Sequence, residues 1–310
     1  MKRMLFLVLF ELKKILNRKK ALLFLVALNV VPLVASLALL IAFVKFKGFG
    51  FGEIQFSVLH EVVQGLFTGH VKLFAFIAPF FLALVVGDSF STEFSRGYMK
   101  MLLLTPINRW QVITAKTVAI MIFLLLAVCI GGMFLQADLL IARTLTQNSG
   151  LIPESMVQNL PGGLGELGDL VKNRPPTYLV STASALQLLA MTFFGNLMLI
   201  GFFIVFSLFF ESAILMSFTS LSVLMGIHTF YLVASGLLNK IDPWYDALAK
   251  WCFTRHLDDI FAIKNIQSIL DGKASLLSEG IFSSLLAVSI WTAAFYLLAT
   301  LIFSRRQILH

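Results

Sequence analysis

Apolar positions in this chain are gathered into long, nearly unbroken runs, and polar positions are confined to the gaps between them. A helix rises 1.5 Å per residue, so about 20 mostly apolar residues cross the roughly 30 Å hydrocarbon layer of a bilayer. Six runs meet that length, at about 21–44, 69–87, 117–135, 179–208, 213–238 and 281–303. The fourth and fifth form one apolar tract whose only formal charge is Glu211, too long for a single span. It predicts two helices joined by a tight turn at Phe209, Phe210, Glu211 and Ser212. Ahead of the first run, the apolar stretch Met4 to Phe10 is too short to cross, charges follow it, and no small-x-small cleavage site appears. Residues 1–20 therefore read as a retained amphipathic helix lying in the membrane interface. The fold class expected is an all-α polytopic membrane protein, in one domain over 1–310.

The segments between spans divide into two sets. On the side of the termini lie 1–20, a loop at 88–116, the Glu211 turn and the tail after 303. On the other side lie 45–68, 136–178 and 239–280. The middle of these contains LPGGLGELGDLVKNRPP, whose Gly and Pro predict loop. The last opens a helix with Asp242 ahead of Pro243. Trp244, Tyr245 and Trp251 then suit a helix at the outer interface. Asp271-Gly272 predicts the end of a further short helix. No internal repeat is visible.

Composition agrees with the pattern: 59% of the 310 residues are hydrophobic and 13% charged, against about 25% charged in soluble domains. The formal charge of +8 raises nucleic acid as a partner, but its distribution points elsewhere. Thirteen Lys and Arg fall on the terminus side, in roughly 60 residues, and eleven on the other side in nearly twice the length, counting Lys72 at the outer start of the second run. Acids sharpen the contrast, with Glu11, Asp88, Glu93 and Glu211 on the first side and twelve on the second. Lys and Arg mark the cytoplasmic side. The expected placement is a multi-pass protein of the cell (inner, cytoplasmic) membrane with both termini cytoplasmic, a lipid partner and no nucleic acid.

The loop at 88–116 has a pattern of its own. From Thr92 to Leu104 the spacing is helical: Glu93, Arg96 and Lys100 share one face, and Phe94, Tyr98, Met101 and Leu102 another. Pro106 ends that helix. Thr105 or Asn108 can cap the next, with Gln111 three residues after Asn108 as in a capping box. Lys116 falls where the third span begins, a position suited to snorkelling. The expectation is a short helix along the membrane surface, charged face toward the cytosol.

The spacing E-x-x-x-G-x-x-x-x-L-L-x-x-P-I-x-R-x-x-x-I-x-x-K, formed by Glu93, Gly97, Leu102, Leu103, Pro106, Ile107, Arg109, Ile113 and Lys116, resembles the intracellular loop of ABC-2 type permeases, the membrane subunits of ABC transporters. The amphipathic FELKKILNRKK, the six spans and the SRR after the last one extend the resemblance to the layout of the chain. Tyr98 departs from the small Thr common at that position, and the long 136–178 loop is not part of the family's core pattern. The resemblance implies a permease subunit of an ATP-driven exporter, with a coupling helix at 92–104 that docks on a separate ATPase subunit. It implies Glu93, Arg96, Gly97, Lys100, Pro106, Arg109 and Lys116 as the coupling residues. A second permease copy or a homologous permease would complete the pathway. Glu93 is expected to contact the ATPase subunit or to orient the loop against Arg96, and Gly97 to permit close approach.

Other chemistry finds little support. The G-x-x-x-x-G-K-[ST] loop that cradles phosphate is absent: Ala115 and Trp110 stand where Lys116-Thr117 would need glycines. No cofactor is expected in this chain, with ATP and magnesium on the partner subunit, and the chain is not expected to be an enzyme. HEVVQ, from His60, lacks the second His of the zinc protease motif. Cys252, His256 and Asp259 fall at i, i+4 and i+7, a spacing that can gather metal ligands but also arises by chance. His228, alone in the fifth span, reads as a packing residue, and Asn29, Gln187 and Asn196 as interhelical glue. A rival reading is a non-transporting, permease-like anchor or sensor whose outer loops bind an extracellular factor.

Overall fold

The computed structural model of the protein describes residues 2–23, 25–27, 29–30, 34, 38, 55–95, 97, 108–148 and 181–305. Among them every regular element is helical. In chain order these are α1 (Lys2–Leu16), α2 (Gln55–Ser89), α3 (Ser91–Ser95), α4 (Arg109–Asn148), α5 (Thr182–Ser207), α6 (Ala213–Gly236), α7 (Trp244–Trp251), α8 (Phe253–Ile260), α9 (Ile263–Leu270) and α10 (Glu279–Arg305).

Among the described residues, five stretches are long and apolar enough to cross a membrane: Phe67–Ser95, Arg109–Ala137, Thr182–Ser207, Ala213–Gly236 and Glu279–Arg305. They correspond to the second through sixth runs of the sequence. The first run is helical at its described positions, among them 21–23, 25–27 and 29–30, and the rest of it lies outside the described residues. Two helices exceed the lengths expected of them. α2 begins at Gln55, inside the 45–68 loop, and carries Pro79 in its interior. α4 continues to Asn148, well into the 136–178 loop. The sequence after Gly132 has neither Gly nor Pro until Gly150 and is rich in Leu, Ala, Gln and Arg, so nothing stops the helix at the end of its apolar run. The Gly/Pro-rich remainder of that loop falls outside the described residues.

Local signals predicted several boundaries correctly. The α5–α6 turn falls at 208–212, with the Ser212 hydroxyl accepting from Leu215 N. Gln111 Oε1 accepts from Asn108 N at 3.2 Å, one half of a capping box at the start of α4. Asp242 Oδ1 accepts from Trp244 N at 2.9 Å at the start of α7, and Gly272, at φ 70°, follows the end of α9.

α5 occupies the centre of the bundle, with 72% of its apolar window buried. α10, α2, α4 and α9 all pack on it. Asn196 Nδ2 donates to Thr192 O, and Asn29 Nδ2 to Leu25 O, each within its own helix rather than between helices. The amides therefore satisfy local backbone instead of gluing spans together.

The largest departure concerns 239–280. Trp244 and Trp251 are exposed, as an interface helix requires, but the chain then turns back into the bundle. Phe253, at the start of α8, is buried, with its ring centroid 5.6 Å from Phe202, 5.6 Å from Phe295 and 5.9 Å from Trp291. Phe295 follows Glu279 by about four and a half turns, roughly 24 Å along α10. The segment read as an outer loop thus packs its helices into the bundle, against α5 and α10. Its amphipathic helices bury Phe253, Ile260, Ile266 and Ile269 between spans, and their apolar faces supply the reason. His228 Nδ1 lies 3.5 Å from Asp258 Oδ2, joining α6 to α8.

Candidate functional site

At the end of the bundle that carries α1 and the close of α10, five charged side chains converge. Glu11 and Lys14 come from α1, Arg18 from the turn after it, Glu93 from α3 and Lys116 from α4. Leu7, Val8, Glu11 and Ile15 form the buried face of α1, which packs on α4. The opposite face exposes Leu5, Phe6, Leu9 and Phe10, so α1 is apolar on both sides, as a helix wedged between protein and lipid requires. Glu11 is the single acid on the inner face, and burial obliges it to find a cation.

It finds Lys116. The Lys116 Nζ donates to Glu11 Oε2 at 2.8 Å and to Glu93 Oε2 at 2.6 Å, with its side chain wholly shielded from solvent. It also lies 5.7 Å from the centre of the Phe90 ring, within cation–π range. The other oxygen of Glu93 accepts from Lys14 Nζ at 2.5 Å and Arg18 Nη2 at 3.2 Å. Lys14 Nζ is also 3.7 Å from Glu11 Oε1. Three cations thus enclose two carboxylates. The cost of removing these charges from water is high, and short charge-assisted bonds on both sides are what make such a cluster tolerable.

Two expectations about this region change. Lys116 does not snorkel toward water; it is turned inward as the centre of the cluster. Glu93 does not share a cytosol-facing surface with Arg96 and Lys100: it is only 3% exposed, and both carboxylate oxygens are engaged by Lys116, Lys14 and Arg18. Nor is there one continuous helix from 92 to 104. α3 closes after Ser95, and Gly97 takes φ 74°, a left-handed conformation that favours glycine and turns the chain. Arg96, Lys100 and Pro106 lie outside the described residues. Arg109 opens α4, and its Nη1 donates to the Ser304 carbonyl at 3.0 Å, so it holds the last turn of α10. Phe94 meets the same helix end, 6.0 Å from the Phe303 ring.

α3 is fixed from its other side as well. Ser91 Oγ donates to the Ser207 carbonyl at 3.1 Å in a buried contact with the end of α5. At Gly87 a Cβ would stand 3.0 Å from Ala213 O, so the second span lies backbone to backbone against the start of α6. The loop between the second and third spans is therefore anchored to α1, α4, α5 and α10.

Of the predicted coupling residues, Glu93 and Lys116 come together, and Arg109, at the start of α4, sits apart against the end of α10. Glu11, Lys14 and Arg18 were not singled out. The available signal was Glu11, a lone acid in register with Leu7 and Ile15, which implied a buried cation elsewhere in the chain. The arrangement has no nucleophile paired with a base, and no group of three His, Cys, Asp or Glu able to hold a metal occurs among the described residues. Cys252, His256 and Asp259 accordingly form no such site. What the cluster does structurally is tie α3 to α1 and α4 through buried ion pairs.

Together the bundle and the cluster define a polytopic helical membrane protein in which one interspan loop is welded to an N-terminal helix. The chain belongs to the ABC-2 family of transporter proteins: that family's model matches residues 7–167, a stretch containing all five charged residues. No curated protein matches the sequence. Membership carries a permease role in a multi-pass membrane protein.

Proposed function

We propose that the chain is the permease subunit of an ATP-driven ABC exporter that couples to a separate ATPase subunit carrying ATP and magnesium. Two permease copies, or this chain with a homologous one, enclose the pathway. The termini, the 88–116 loop and the Glu211 turn face the cytosol, in keeping with the Lys and Arg asymmetry.

The observation that carries this reading is the buried cluster of Glu11, Glu93 and Lys116 at the loop between the second and third spans. A motor that pushes on a surface loop does work only if the loop is rigidly joined to the spans it moves. Here the loop is held by ion pairs to α1 and α4 and by hydrogen bonds to α5 and α10. Glu93 then serves as an anchor within the permease, and direct contact with the ATPase falls to the chain beyond Gly97, including Lys100. The experiment is co-purification with the ATPase subunit and ATP-dependent transport in proteoliposomes. Lys100→Glu is expected to lower ATPase capture or transport at unchanged membrane abundance. The permease without its partner is expected to hydrolyse no ATP. Turnover by the isolated chain would overturn the reading.

A further inference from the structure

Beside α3, on the face turned away from the charge cluster, an open groove of about 460 Å³ runs between the start of the first span, the end of the second and the turn joining α5 to α6. Lys20, Asp88, Thr92, Ser95, Glu211 and Ile214 line it. Its charges are unevenly committed. Asp88 is held by Lys20 at 3.1 Å and by the Thr92 hydroxyl at 3.5 Å. Glu211 is exposed at the turn and makes no ion pair with any described residue. Among the described residues, the groove therefore carries one carboxylate without an ion-pair partner, on an end of the molecule otherwise rich in Lys and Arg.

We propose that this groove is a second docking seat for the ATPase subunit and receives one of its arginine side chains. The inference rests on the permease reading above. The guanidinium would pair with Glu211, which a planar fork can engage through two bonds, while its aliphatic stem lies against Ile214. Charge complementarity selects the occupant, because an acidic or phosphorylated surface would be repelled by the unpaired Glu211, Asp88 being already paired with Lys20. The seat is also firmly founded. Its floor is the close approach of Gly87 to Ala213, and its α3 wall is tied to α5 through Ser91 and Ser207. A pull on the seat moves the second, fourth and fifth spans, whereas the charge cluster moves the third span and α1. Two contacts on the motor would thus address two different groups of spans.

The test uses the complete permease–ATPase complex in membranes. A benzophenone amino acid replaces Ile214, and ultraviolet crosslinking to the ATPase subunit is scored. In parallel, ATPase capture is measured for Glu211→Gln and Glu211→Arg at matched membrane abundance. The expected result is a 214–ATPase crosslink, with capture by Glu211→Arg lowered about tenfold or more, as loss of a charged hydrogen bond implies, and by Glu211→Gln less. Restoration of Glu211→Arg by an Arg→Glu change in the ATPase would identify the occupant. Absence of the crosslink, with wild-type capture by both variants and an intact complex, would overturn the second seat while leaving the permease reading in place. If the wild-type chain captures no ATPase at all, the permease reading fails and the seat with it.

Discussion

Replacing Lys116 with Met keeps the length and apolar stem of the side chain and deletes the charge at the centre of the cluster. Two charge-assisted bonds, at 2.8 and 2.6 Å, are lost at once. Removing one partner of a buried ion pair costs about 3–5 kcal/mol, because the remaining charge is stranded out of water. The structure places this case near the lower bound. Glu93 keeps Lys14 and Arg18, whereas Glu11 keeps only Lys14 at 3.7 Å. A cost of about 3 kcal/mol is a change of roughly a hundredfold in the equilibrium between docked and undocked α1. Ile15, 2% exposed on the inner face of α1, reports that equilibrium when changed to Cys in a background lacking Cys129 and Cys252. Its maleimide labelling is expected to rise about a hundredfold in Lys116→Met relative to the Lys116 parent, while Lys13→Cys, on the exposed face, labels equally in both. Adding Glu11→Gln removes the stranded carboxylate and should return at least about half of the loss, a coupling characteristic of direct neighbours. Labelling of Ile15→Cys that stays within about threefold of the parent, or a Glu11→Gln change that adds to the damage, would refute the account of Lys116 as the shared partner.

Two further outcomes can be checked by thermal unfolding in detergent. Gly87→Ala forces a methyl to within 3.0 Å of the Ala213 carbonyl and should cost about 1–3 kcal/mol, whereas Gly69→Ala meets nothing within 4 Å and should stabilise its helix by about 0.5–1 kcal/mol; equal effects would dissolve the close approach of α2 and α6. Burial holds the His256 imidazole below its ordinary value of 6.5, so the undocked form of α8 binds the extra proton, and stability should be lost as pH falls below about that value; His256→Asn should flatten this part of the profile, and an unchanged pH dependence would assign it elsewhere.

The five described spans, the turn at Glu211, the capping interaction of Gln111, the helix start at Asp242 and the stop at Gly272 were legible because each depends on residues within a few positions of one another. Apolar run length and cap chemistry are local quantities, and tertiary packing left them as they were. The family resemblance in 93–116 was legible for the same reason, as a spacing along the chain.

Burial of charge was not. A helical wheel groups Glu93 with Arg96 and Lys100 and, on local grounds, turns them toward water. The structure turns Glu93 inward, because Lys116 stands 23 positions away and Arg18 stands 75 positions away. Glu11 reaches Lys116 across 105 positions. No periodicity records such partners, and whether a carboxylate lies in water or in a cluster depends on the cation that arrives from elsewhere. The packing of α8 and α9 into the bundle was hidden in the same way. The amphipathic helices of 239–280, with Trp244 and Trp251 exposed, satisfy an interface reading equally well, and only the aromatic surface offered by Phe202, Trp291 and Phe295 draws Phe253 into the bundle. The sequence by itself determined which segments are long and apolar enough to cross a bilayer, since hydrocarbon thickness and backbone hydrogen bonding constrain each segment separately. Only the tertiary structure decided which charges leave water and which helices they bind together, because that free energy belongs to pairs of groups distant in the chain.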